Sequence, residues 1–199
     1  IGHILQETPS LILPPEILHD IHQWTESHSS RMIWIQGPDS STYASTLSLT
    51  AMHLYTSNIM AGHACISFFC KPIPPSSQPA IVVPENIVVS LLYSTIAQLA
   101  DHLPVRFPAV PELAAQRFEL LDGSFGSAMI AVRMIEALLV YVAPRELVWV
   151  FDGLQVAENQ RTIPVLRRLV EALRVQEGRS RSKVCFTTDG SSHVLVRAV

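Results

Sequence analysis

Charge is what this sequence has least of. Asp, Glu, Lys and Arg make up 16% of its 199 residues, against roughly 25% in ordinary soluble domains. They balance to a formal net charge of −3, which points away from nucleic acid and from a membrane surface as partners. Cysteine is scarce as well: Cys65, Cys70 and Cys185, with no CxxC pair. An odd count without paired spacing supports neither a disulfide framework nor a zinc knuckle, and fits a reducing, intracellular and cytoplasmic setting. Long apolar runs are missing too. The longest, 137–143, falls far short of the ~20 residues a membrane-spanning helix requires. No initiator Met, basic n-region or signal-like start opens the chain, so it reads as a piece of a longer protein.

What is there is apolar: 48% of residues, with a mean hydropathy of +0.29. Without a membrane span, that surface must be buried in a core or against something else. Adjoining domains of the same chain, or protein partners, are therefore expected, and an oligomer is compatible with the composition. The length suffices for one good core.

Four apolar segments read as strands: Met32–Gln36, His63–Phe69, "ELVWVFDG" and "KVCFTTDG". Between them the apolar spacing is helical, with a helix over 16–27 and another over 42–60 using Leu47, Ala51, Leu54 and Asn58. Further helices are expected over 86–103 with Asn86 as its cap, over 112–121, over 124–142 with Ser124 as its cap, and over 163–176. The stretch "CKPIPPSSQPAIVVPEN" is dense in proline and reads as a loop. Apolar strands alternating with helices predict an α/β fold with a parallel sheet and helices on both faces.

The ordered segments "HILQETPSLILPPEILHDIHQWTESHSSRMIWIQGP", "ISFFC", "LVWVFDGLQ" and "KVCFTTDGSS" resemble the fungal NACHT and NACHT-like domains, which are P-loop NTPases of the STAND class. The resemblance covers nearly the whole chain. It implies a three-layer fold whose mostly parallel sheet runs second, third, fourth, first strand, with nucleotide at the carboxyl edge. It also implies a lead-in segment and helix at 1–30 and an NTPase-like domain at 31–199.

The motif chemistry is degenerate. A working phosphate loop, G-x-x-x-x-G-K-[ST], wraps phosphates in backbone N–H groups, neutralises them with Lys and holds magnesium by its hydroxyl. Here Gly37 matches the first glycine, Ser40 and Ser41 fill the loop, Thr42 stands for the second glycine, Tyr43 for the lysine and Ala44 for the hydroxyl. Ser45 comes one residue late, turned about 100° round the helix. Of the second motif Asp152 remains, but the acidic base position holds Gln155, an amide that cannot take a proton, and Glu158 lies beyond it. At the sensor strand, where the family carries an arginine, this chain has Thr187, Thr188 and Asp189; Thr188 and Asp189 are the sensor-like pair. Asp39 and Asp189, if each lay within about 6 Å of a phosphate, would each oppose it by about 1–3 kcal/mol. No other cation fills in on this reading: Arg31 is a strand length away, and Lys71 is three strands away, about 14 Å.

Other constellations are weaker. His19 and His22 flank Asp20 at helical spacing without a third metal ligand. No G-x-S-x-G elbow supports a hydrolase. Arg161, Arg167, Arg168, Arg174, Arg179, Arg181 and Lys183 form a basic band, but no aromatic residues interleave to stack on bases.

The expectation is a catalytically silent pseudo-NTPase, an interaction or regulatory module of a larger fungal protein, with no catalytic residue, metal or cofactor of its own. The alternative is a slow ATP- or GTP-binding switch using magnesium and unconventional residues. A weaker alternative is nucleic-acid binding through the arginine band.

Overall fold

The computed structural model describes residues 13–39, 45–71, 83–144, 146–176 and 181–199. The expected phosphate-loop residues Ser40, Ser41, Thr42, Tyr43 and Ala44 lie outside the described residues, as do most of the proline-rich loop and Arg179.

Four strands, β1 (Arg31–Gly37), β2 (Ala64–Phe69), β3 (Glu146–Asp152) and β4 (Arg181–Asp189), make one sheet in the order β1-β4-β3-β2. Counted from the opposite edge this is β2-β3-β4-β1, and every pairing is parallel. Helix α1 (Pro15–Glu26) precedes β1; parallel strands cannot be joined by tight turns, and the connections carry helices α2 (Thr46–Met60), α3 (Pro84–Ala100), α4 (Ala115–Phe118), α5 (Ala128–Tyr141) and α6 (Ile163–Gln176).

Strand alternation divides the core in two. Leu147, Trp149 and Phe151 of β3, with Val184 and Phe186 of β4, pack with α3, α5 and α6. Val148, Val150, Cys185 and Ile35 face the other way, toward Trp24 of α1 and Leu47 and Ala51 of α2. The chain is therefore three-layered. Both faces of the central strands are covered, so their sequences read as unbroken apolar runs rather than alternating ones.

The helix boundaries depart from expectation where a cap decides them. Helix α3 starts at Pro84 after Val83, and Asn86 sits inside its first turn. Proline has the φ of a first helical turn already set, so it opens the helix two residues before the asparagine can cap it. Helix α2 starts at Thr46 because Ser45 is its N-cap, its hydroxyl accepting from the Ser48 N–H at 3.1 Å. Ser124 caps a short 3-10 turn that leads into α5. The expected helix at 112–121 is only a 3-10 turn, Pro111–Leu113, and the single turn α4. Residues 115–120 are exposed, and a segment with no buried face lacks the packing that sustains a helix. Leu18 of α1 is likewise exposed, leaving Ile17, Ile21 and Trp24 to dock that helix.

The two ends of the fold are pinned by polar groups. At the amino edge, Trp24 Nε1 donates to the Arg31 carbonyl at 3.0 Å. The buried Lys183 ammonium donates to the Thr25 carbonyl at 2.7 Å and pairs with Glu146 at 2.9 Å. On the outer side of β2, Gln98 of α3 takes the role of a neighbouring strand. Its Oε1 accepts from the Ser67 N–H and its Nε2 donates to the Ser67 carbonyl, both at 2.9 Å. An unpaired edge would otherwise template association with another chain. Gln98→Ala is expected to lower the unfolding free energy by about 1–3 kcal/mol, measured by urea denaturation, and to raise the sedimentation coefficient at high protein concentration. A variant that keeps wild-type stability and stays monodisperse would show the side chain to be dispensable.

Candidate functional site

The register brings the strand ends level. Gly37 of β1 lies opposite Asp189 of β4, Asp152 of β3 opposite Thr187, and Phe69 of β2 opposite Asp152. Strand parity then sorts the side chains. Asp152, Thr187 and Asp189 share parity with the residues facing α2, and the N-terminus of α2 meets them there. Thr188 has the opposite parity. Its hydroxyl accepts from Trp34 Nε1 at 2.9 Å and donates to the Gly190 carbonyl at 2.8 Å. Of the two sensor-like residues, only Asp189 reaches this corner.

Lys71 corrects the distance argument made from sequence. Its ammonium forms an ion pair with the Asp189 carboxylate and donates to Ser45 Oγ at 3.4 Å and Ser48 Oγ at 3.5 Å. The stem starts where β2 is still paired to the end of β3, the Cys70 N–H donating to the Asp152 carbonyl at 2.8 Å, and its partner lies two strands over, on β4. The lysine stem then passes over the end of β3, and Gly153 leaves it room. A Cβ at Gly153 would lie 3.3 Å from Lys71 Cγ, and the backbone there has φ +74. The Asp152-Gly153 pair is thus both a strand-ending turn and the saddle across which Lys71 reaches β4.

The corner is crowded with carboxylates. Asp152 is buried, and Thr187 Oγ1 donates to its Oδ1 at 2.8 Å. Burial holds its carboxyl above the ordinary aspartate range, and the neighbouring Asp189 adds to this; the Ser48 and Thr187 hydroxyls and the Lys71 ammonium pull it down. Asp39 lies over Gly190, which has φ +91 and no space for a Cβ beside that carboxylate. Gln155 Nε2 donates to the Asp189 carbonyl at 3.0 Å, while its Oε1 is buried with no partner among the described residues. Glu158 turns elsewhere. Its Oε2 accepts from the His193 N–H at 2.8 Å, and its Oε1 takes the Ser192 hydroxyl and the Val194 N–H at 3.3 Å. That carboxylate caps the turn after β4 and is not free to serve as a base.

Among the described residues, neither buried thiol near this corner is poised for nucleophilic chemistry. Cys70 is fully buried, its thiol pushed up by burial and by Asp152; Cys185 is pushed up to about 12 for the same reasons. Thiols held protonated are poor nucleophiles and poor metal ligands. Among the described residues, no group of His, Cys, Asp and Glu is arranged to hold a metal ion. His19 bonds Gln23 at 2.9 Å and His22 pairs with Glu26 at 3.2 Å, both on the exposed side of α1. The arginine band is dispersed: Arg161 pairs with Glu85, Arg168 with Glu136 and Arg181 with Glu146. No described helix is long and apolar enough to cross a membrane.

A parallel α/β sheet, covered on both faces and carrying an acid-rich corner with one buried lysine at its carboxyl edge, defines the class. Within it, the family model described as Nephrocystin 3, N-terminal matches residues 17–188, and the chain belongs to that family. No curated protein and no solved structure matches the chain.

Asp152 generates a test with a definite sign. Because its folded-state pKa is raised, the native state holds its proton more tightly than the unfolded chain does. The stability this contributes is present below the ordinary aspartate value of about 4 and is lost as pH rises through the folded pKa. Asp152→Asn keeps an oxygen for Thr187 and has no proton to lose. Relative to wild type it is expected to gain stability as pH rises above 4, measured by denaturant titration at successive pH values. A pH-independent difference would show that Asp152 is not strained by burial. Separately, Gly153→Ala is expected to cost roughly 1–3 kcal/mol, since it adds a Cβ at positive φ against the Lys71 stem.

Proposed function

We propose that this chain is a catalytically silent NTPase-fold module, similar to the NACHT-like domains of fungal STAND proteins, which acts through contacts with adjoining domains or protein partners rather than through hydrolysis. The observation that carries the reading is the internal Lys71–Asp189 ion pair at the first turn of α2. In a nucleotide-binding relative of this fold, that turn faces phosphate. Here a carboxylate belonging to the chain stands beside it, with Asp39 and Asp152 close by, so an incoming polyphosphate meets negative charge. Gln155, which donates to the Asp189 carbonyl, offers no carboxylate to activate water.

Support for the interaction reading comes from the far side of the molecule. A groove of about 670 Å3 runs between α5 and α6, with Val140, Tyr141 and Val175 along it and the Arg168–Glu136 pair across it. It is remote from the acid-rich corner and has an apolar wall, a surface suited to another protein.

The second reading, an ATP- or GTP-binding switch, draws on the same lysine. An ammonium within reach of Ser45 and Ser48 could turn to a phosphate if Asp189 released it. Calorimetric titration of the domain with ATP and with GTP, in magnesium, separates the two. The silent module is expected to show dissociation constants weaker than about 1 mM, whereas constants below about 10 µM, roughly 2.7 kcal/mol tighter still, would favour the switch.

A further inference from the structure

One step deeper, and resting on the silent-module reading, is the part played by Asp189 itself. Gly37 ends β1 directly opposite it, and the missing side chain there leaves room chiefly for Leu47 of α2, whose Cδ1 would lie 2.8 Å from a Cβ. A Cβ added at Gly37 would lie 3.9 Å from Asp189 Oδ1. The Lys71 and Asp189 side chains are only 10% and 4% exposed, and Ser45, the N-cap of α2, is also buried. An ammonium, hydroxyls and the positive end of a four-turn helix are what an oxyanion is held by. The Lys71 ammonium, which also donates to Ser45 and Ser48 of that first turn, is paired with the Asp189 carboxylate of β4.

We infer that Asp189 is a built-in anion: its carboxylate takes, toward Lys71 and the first turn of α2, the part that a phosphate-bearing ligand would otherwise take, and so closes the corner. Covalent attachment to β4 favours it over any ligand in solution, because an attached group acts at a high effective concentration. Displacing it would push a carboxylate toward Asp152 and Asp39. Removing the charge at position 189 while keeping Lys71 should therefore open the corner to polyanions.

The test uses Asp189→Asn and Asp189→Thr, each alone and combined with Lys71→Met, with tripolyphosphate as the probe in calorimetry and in thermal melts. Each single variant is expected to bind tripolyphosphate at least tenfold more tightly than wild type, and the gain should vanish when Lys71→Met is added. A variant that unfolds for want of the carboxylate should regain its melting transition when tripolyphosphate is present. A folded variant with no gain, a gain that survives Lys71→Met, or an unfolded variant that tripolyphosphate does not restore would each overturn the inference. These failures leave the silent-module reading intact, provided wild type does not bind. Tight binding by wild type itself would overturn both.

Discussion

The ammonium of Lys71, on a side chain 10% exposed, is the group on which the carboxyl edge of this fold depends. It stands among Asp39, Asp152 and Asp189, three acids in a chain that has little charge to spend. Two of those acids are more than nine-tenths buried. Coulomb repulsion between carboxylates about 6 Å apart in a partly screened site is about 3 kcal/mol. One cation on β4's acid relieves part of that; the carboxyl of Asp152 is held up first by its burial, with Asp189 a smaller contribution. A buried pair of this kind contributes little net stability over apolar packing, but removing one partner strands the other and typically costs 3–5 kcal/mol. Lys71 thus holds the corner shut more than it strengthens the fold.

The rest of the architecture makes that reach possible. Gly153 gives the lysine stem passage over the end of β3, and the Cys70–Asp152 backbone bond keeps β2 paired to β3 up to the residue before the lysine. Ser45 and Ser48 supply oxygens where a late start of α2 puts them. At the other end of the sheet, Lys183 does comparable work for Thr25 and Glu146, and Gln98 closes the β2 edge. These polar side chains at the margins of the sheet are fastened to a backbone group or to an opposite charge, whereas Thr95 Oγ1, Trp149 Nε1, Gln155 Oε1 and Ser182 Oγ are buried with no partner among the described residues.

How far the sequence revealed this can be judged residue by residue. The strands were legible because Leu147–Phe151 and Val184–Phe186 are apolar without interruption, which only a sheet covered on both faces requires. The meeting of Gly37, Asp152 and Asp189 at one edge followed from the parallel topology. The side that each residue faces did not follow, because parity depends on register. Thr188 and Asp189 looked equivalent in a list of letters, and the sheet sends them to opposite faces. Lys71 was discounted because strand spacing was counted along the sheet, whereas its partner lies two strands over, on β4. The signal available was the glycine after Asp152, whose missing side chain leaves the lysine stem its passage. Ser45 was set aside for a similar reason: its role as a cap, and not its angle from Ala44, fixes where α2 begins.

The location of the lysine also bears on the proposed silent module. A lysine carried in the loop after β1 reaches its ligand from the same segment that wraps the phosphates, so binding and loop order are one event. Lys71 arrives from β2, across β3, and its partner is a residue of β4; the contact therefore ties together three strands that are already hydrogen-bonded in register. Such a contact has no need of an exogenous ligand and gains nothing from loop closure. In a switch, occupancy must alter the arrangement of neighbouring parts; on the proposed reading the occupant is a residue of the chain itself and the arrangement is fixed with it. The charge pattern thus favours a constitutively closed corner, and regulation, where it exists, must enter by loosening Asp189 from Lys71 or by contacts on the helical layer instead.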